Sequence, residues 1–152
     1  MMPKKLLLTY CLTIILTFLV YSGCSGNNRP KELPRLFPVT LTITLDDQPL
    51  GDANVLLCAE NEADVKWTIG GWTNADGEVT IGTQGQFSGS PSGKFKVCVV
   101  KSEVIKKDQD TPATVVDCVD RLFANPKSTP LEIEVSPKGA TNLTLSVHKP
   151  QK

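Results

Sequence analysis

Between residues 39 and 45 the chain alternates Val39, Leu41, Ile43 and Leu45 with Thr40, Thr42 and Thr44. A period of two puts the apolar side chains on one face and the threonines on the other, which describes a strand with a single buried side. The pattern recurs along the chain. Phe95, Val97 and Val99 alternate with Lys94, Lys96 and Cys98; Leu131, Ile133 and Val135 with Glu132 and Glu134; Leu143, Leu145 and Val147 with Thr144 and Ser146. Residues 53–59 (ANVLLCA) form a continuous apolar run suited to a more deeply buried strand, and residues 66–73 and 78–81 complete a set of seven. Turn residues separate them: Asp46-Asp47-Gln48-Pro49, Asn74-Ala75-Asp76-Gly77, and Pro137 with Gly139 in a segment that reads as a hairpin. Residues 82–93, rich in Gly and Ser, read as a long loop. Residues 114–124 are compatible with a helical turn or with a loop that packs Val119, Leu122 and Phe123. Seven strands with almost no helical periodicity predict an all-β chain, a seven-stranded antiparallel β-sandwich. A body of about 115 residues suffices for a single core.

The N-terminus is built differently. Lys4 and Lys5 precede an uncharged apolar-and-hydroxyl run over residues 6–20, and no further charge occurs until Arg29. That run falls short of the about 20 residues a spanning helix needs, but it suits the apolar centre of a signal peptide. Tyr21-Ser22-Gly23-Cys24 follows, and small residues before a cysteine resemble a lipobox, with Tyr21 standing where Leu or Val is usual. The expected organisation is a lipoprotein signal peptide over residues 1–23, a lipidated Cys24 with a flexible tether over 24–35, and a sandwich domain over 36–149. Ordinary secretion and an uncleaved anchor over residues 6–23 are the alternatives. Several acyl chains on one cysteine give the stable anchoring that a single chain does not. Ser25 replaces the Asp that would resemble an inner-membrane retention signal, which favours the outer membrane. Lys4 and Lys5 account for two of the 16 basic residues, so cleavage leaves 14 against 16 acidic ones, a net charge of −2. Nothing in this balance suits a nucleic-acid surface.

The order of the pieces resembles the transthyretin-like, carboxypeptidase-regulatory-like domains, and is most similar to the small lipoproteins of that kind abundant in planctomycete bacteria. Asp46, Pro49, Leu50, Ala53 and Val55 match a D-G-x-P-L-x-G-A-x-V segment; Thr73, Asp76, Gly77 and Ile81 match T-D-x-x-G-x-F/Y-x-L; Gly93, Phe95 and Val97 match P-G-x-Y-x-V. Asp47, Asn74 and Ser92 depart from these patterns in turn-compatible ways. The resemblance covers residues 37–147 and implies a prealbumin-like sandwich used as an accessory or binding module. Its enzymatic branch, the hydroxyisourate hydrolases, depends on several histidines, an arginine and a C-terminal Tyr-Arg-Gly-Ser. This chain has one histidine, His148, and ends His148-Lys149-Pro150-Gln151-Lys152.

Candidate chemistry is sparse, and no cofactor or metal is expected. Asn74, Asp76 and Glu78 place oxygens at alternate positions, but Trp72 stands where a calcium loop would need a carboxylate, and a β-turn accounts for Asp76-Gly77. After loss of Cys11 and lipidation of Cys24, the cysteines Cys58, Cys98 and Cys118 remain, an odd number that allows at most one intrachain disulfide. Cys58 with Cys98, or either with Cys118, are the open pairings; burial as small apolar residues is the other reading for the strand cysteines. Trp67 and Trp72 are five residues apart and face opposite sides of a regular strand, which allows one in the core and one exposed; core or turn packing of both is the favoured reading. An exposed Trp beside Gly70-Gly71, with the 82–93 loop as a rim, would suit a sugar or peptide. The expected function is therefore a non-catalytic, lipid-anchored cell-envelope module. Its partners are the membrane, through the lipid, and envelope proteins or glycans. The alternative is a carbohydrate- or peptide-binding module using Trp67 or Trp72.

Overall fold

The computed structural model describes residues 29–59, 66–106 and 112–151, so the signal segment and Cys24 lie outside the described residues. The chain divides into two compact units, Met1–Leu33 and Pro34–Lys152. In the described part of the first, the Leu33 amide closes a turn onto the Pro30 carbonyl at 3.0 Å. The second unit carries an all-β fold.

Strand β1 (Val39–Leu45) is the axis of the smaller sheet. It pairs on one side with β12 (Ala140–Val147) and on the other with β2 (Gln48–Pro49) and β5 (Glu78–Thr80). The β1–β2 turn puts Asp46 and Asp47 at φ of 49° and 66°. Two positive φ values in a two-residue loop match the right-handed strand twist, and Asp tolerates them where Gly is the usual choice. The larger sheet runs β11-β8-β3-β4-β6-β7: β11 (Glu132–Val135), β8 (Gly93–Val100), β3 (Asn54–Ala59), β4 (Ile69–Trp72), β6 (Gly82–Thr83) and β7 (Phe87–Ser88). A separate two-stranded ribbon pairs β9 (Ser102–Ile105) with β10 (Thr114–Asp117).

The two larger sheets bury their apolar faces in one cluster. Val39, Leu41 and Ile43 from β1 meet Val55 and Leu57 from β3, Phe95, Val97 and Val99 from β8, and Ile133 and Val135 from β11. The alternation read in the sequence is thus what aims these side chains inward, and each buried Val, Leu, Ile or Phe stabilises the fold by about 1.5–3 kcal/mol relative to exposure. The arrangement is that of a β-sandwich.

Several sequence expectations change here. Each of the seven expected segments contains a strand, but the described residues carry twelve strand segments rather than seven, and β1 runs parallel to β12 rather than antiparallel. Alternation fixes a strand's buried face and says nothing of its direction, which only the long connections decide. The segment after β11 is a tight turn, with the Gly139 amide on the Ser136 carbonyl at 2.8 Å, but it is not a sheet hairpin. β11 belongs to the larger sheet and β12 to the smaller. The 82–93 loop is stitched to the sheet by β6 and β7 and by a bridge from Ser90 to Phe37. Residues 114–124 begin as β10 and end in a single 3-10 turn, Arg121–Ala124, capped by the Asp120 side chain, which accepts from the Leu122 amide. Val119 and Phe123 are buried as expected, while Leu122 is exposed. In β12 the register slips between Ala140 and Leu143, with Asn142 at φ 60°. This bulge inserts one residue ahead of Leu143, which stays in step with Leu145 and Val147 but is exposed on the edge strand.

Candidate functional site

The outer face of the larger sheet carries the most chemically distinctive group. In β3, Val55 and Leu57 point into the core, so Leu56 and Cys58 point away; in β8, Phe95, Val97 and Val99 point in, and Lys96 and Cys98 out. The strands pair antiparallel with Leu56 opposite Cys98 and Cys58 opposite Lys96. Cys58 and Cys98 are therefore diagonal neighbours on one face, and their sulfurs lie 4.0 Å apart as free thiols. Cys98 is nevertheless only 2% exposed. Burial first, and the adjoining Cys58 sulfur second, push its thiol up to about 12. Removing a proton from a poorly solvated sulfur beside a second sulfur is costly, so Cys98 is a protonated thiol at neutral pH.

Cys58, half-buried, opens onto a groove of about 560 Å³ bordered by Leu56, Trp67, Ile69, Lys96 and Lys127. Lys96 is ion-paired with Glu132 across β8 and β11, and that ammonium holds the Glu132 carboxyl below its usual range. The groove thus has an apolar and thiol floor, one indole wall and a cationic margin.

The tryptophans separate. Trp67 is half-buried against the groove; Trp72 is 69% exposed at the end of β4 and does not line it. Neither belongs to the buried core: Trp67 lies ahead of β4, and Trp72 stands at the exposed end of that strand, whose buried residue is Ile69. The Gly70-Gly71 pair is explained by packing: a Cβ on Gly70 would collide with the Val55 carbonyl, and one on Gly71 with Thr80 and Val79.

Other candidates resolve into structure. The Asn74 side-chain oxygen accepts from the amides of Asp76 and Glu78 at 3.0 and 2.8 Å, which is a side-chain-closed turn. Cys118 lies against the Val116 carbonyl, and burial followed by the Glu103 charge raises its pKa. His148 packs edge-on to Phe123, with centroids 4.9 Å apart, and its Nδ1 lies 3.0 Å from the Lys149 carbonyl. Among the described residues, no three His, Cys, Asp or Glu side chains gather as metal ligands. The sequence presented Cys58–Cys98 as one pairing among three. What it lacked was the β3–β8 register, which alone makes the two residues diagonal neighbours. It held no sign of the β9–β10 ribbon, whose Val104 and Val115 are 66% and 65% exposed.

No protein-family model matches the chain. No curated protein matches it either. Among solved structures, it is similar to BcpA, the major pilin subunit of Bacillus cereus, at 16% identity and a TM-score of 0.47, and to a variant of BcpA at 17% and 0.49. The variant match covers 77% of this chain and 31% of the pilin. A 9R-lipoxygenase from Cyanothece matches at 17% identity and a TM-score of 0.40, over 81% of this chain and 18% of that one. The chain spans less than a third of the length of each of these proteins. Likenesses of this degree define neither a family nor an activity.

Proposed function

We propose that this chain is a non-catalytic, lipid-anchored protein of a bacterial cell envelope, whose transthyretin-like sandwich serves as a structural or interaction module. The observation that carries the reading is the β9–β10 ribbon. Val104, Ile105, Val115 and Val116 are 66%, 45%, 65% and 42% exposed on a two-stranded sheet that pairs with no third strand among the described residues. Isolated ribbons are marginal in water, and clustered exposed apolar groups mark contact surfaces. The N-terminal sequence supports the anchor: a signal-like segment, Cys24, and a polar run rich in Pro, Gly and Asn that suits a tether. Ser25 favours the outer membrane, with the domain facing the periplasm or exterior. Partners would be the membrane, through the lipid, and other envelope proteins.

Fractionation of cells tests the anchor. Wild-type protein is expected with membranes, and Cys24→Ala or globomycin is expected to leave the precursor unprocessed; unchanged processing would remove the lipid from the proposal. Photo-crosslinking from position 104 tests the module. Crosslinks to envelope proteins should disappear with Val115→Ser while the fold is retained, and a ribbon that crosslinks nothing would refute the interaction role. A second reading, glycan or peptide binding, rests on the exposed Trp72 and the Trp67 wall of the groove. It predicts glycan-array binding that Trp67→Ala or Trp72→Ala abolishes.

A further inference from the structure

We propose that Cys58 and Cys98 are a dithiol site that oxidises to a cross-strand disulfide, with Cys58 as the entry thiol and Cys98 as the resolving one. Three observations converge. The two sulfurs sit 4.0 Å apart on the same face of adjacent central strands. Cys58 opens onto the groove while Cys98 is enclosed. Cys118 lies apart, on the segment that follows the ribbon, against the Val116 carbonyl. The sulfurs need a further approach of about 2 Å to bond, and because diagonal neighbours stand about 7–8 Å apart, closure requires the two strands to shift as well as the side chains to rotate.

The exchange balances with a protein or small-molecule disulfide as oxidant. The Cys58 thiolate attacks one sulfur of that carrier; the carrier's S–S bond breaks, a mixed disulfide forms on Cys58, and one carrier thiol leaves. Cys98 then gives up its proton and attacks the Cys58 sulfur, forming Cys58–Cys98 and releasing the second carrier thiol. Two electrons and two protons pass to the carrier. The asymmetry in access fixes the order: only Cys58 can be reached first. The resolving step depends on the small thiolate fraction of Cys98, so its rate should rise about tenfold per pH unit across the neutral range. The site rests on the export reading only for where it meets an oxidant, since such carriers act outside the cytosol.

The full chain incubated with oxidised glutathione and mapped by mass spectrometry tests the geometry independently of location. The expected product links the peptides of Cys58 and Cys98 and leaves Cys118 open to alkylation. Cys98→Ala should trap glutathione on Cys58, whereas Cys58→Ala should leave Cys98 unmodified. A linkage through Cys118, glutathione on Cys98 first, or two free thiols at equilibrium would overturn the proposal. Far-ultraviolet circular dichroism of each variant separates these outcomes from misfolding. Mapping of protein taken from cells bears on the export reading instead: a site that oxidises with glutathione but is fully reduced in cells places the chain in a reducing compartment.

Discussion

Gly77 ends the Asn74 turn at φ +76°, and it is wedged between strands. Its carbonyl accepts the Ile43 amide at 2.8 Å, while the Ile43 carbonyl accepts the Leu50 amide at 3.0 Å. A Cβ placed on Gly77 would collide with that Ile43 carbonyl and stand 3.0 Å from the Leu50 nitrogen. Gly77→Ala therefore has two costs. The left-handed backbone costs an L-residue about 1–2 kcal/mol, partly offset by about 0.5–1 kcal/mol through the stiffer unfolded chain. The collision must open the contact between β1 and the β2 end, and loss of these two hydrogen bonds adds about 1 kcal/mol each. The expected total is about 3 kcal/mol, a large share of the roughly 5–15 kcal/mol typical of a domain. Gly85 supplies the control. Its φ is +65°, but a Cβ added there would meet nothing within 4 Å, so Gly85→Ala should cost about 1 kcal/mol or less. Urea unfolding followed by tryptophan fluorescence measures both, with the midpoint shifting and the slope unchanged. Equal losses for the two variants would refute the steric argument and leave only the backbone cost.

Three further outcomes are expected. Thr129 is buried and its hydroxyl donates to the Val97 carbonyl at 2.8 Å, so Thr129→Val should lower stability by about 1–3 kcal/mol in the same urea assay. Oxidation of Cys58–Cys98 closes a loop of 40 residues, which the chain-entropy relation values at about 4 kcal/mol before strain; reductant should lower the thermal midpoint of the oxidised protein, and no shift would mean strain cancels the gain. Asp117, hydrogen-bonded to Arg121 and Ser102, and Asp120, bonded to the Leu122 amide, both titrate below the ordinary carboxylate range. A depressed folded pKa gives stability that is present above about 3.9 and is lost as pH falls through the folded value. Nuclear magnetic resonance titration should show the Asp117 pKa rising in Arg121→Ala and the Asp120 pKa unchanged.

Much of the architecture was legible because it is local. The Val39-to-Leu45 alternation, the apolar run of β3 and the Phe95-to-Val99 alternation each state which side of a strand is buried, and all three hold in the core. The same rule gives Leu143 its face but not its burial: it stays in step with Leu145 and Val147 opposite β1, yet on the edge strand β12 it is 37% exposed. The ribbon was missed because Val104, Ile105, Val115 and Val116 are apolar residues without a buried side, a state that periodicity does not encode. The groove was missed for another reason: Trp67, Cys58, Lys96 and Lys127 come from separate stretches of the chain that only strand order brings together.

The sequence by itself determined an all-β chain, the alternating segments that supply most of its core and the turns that separate them. Side-chain period and turn residues act over a few positions, so they survive without knowledge of the fold. Only the tertiary structure decided that β1 runs parallel to β12, that β11 and β12 part into different sheets, and that Cys58 meets Cys98. Those are facts of pairing between distant segments. They follow from how whole faces fit together, and no local pattern in the chain carries them.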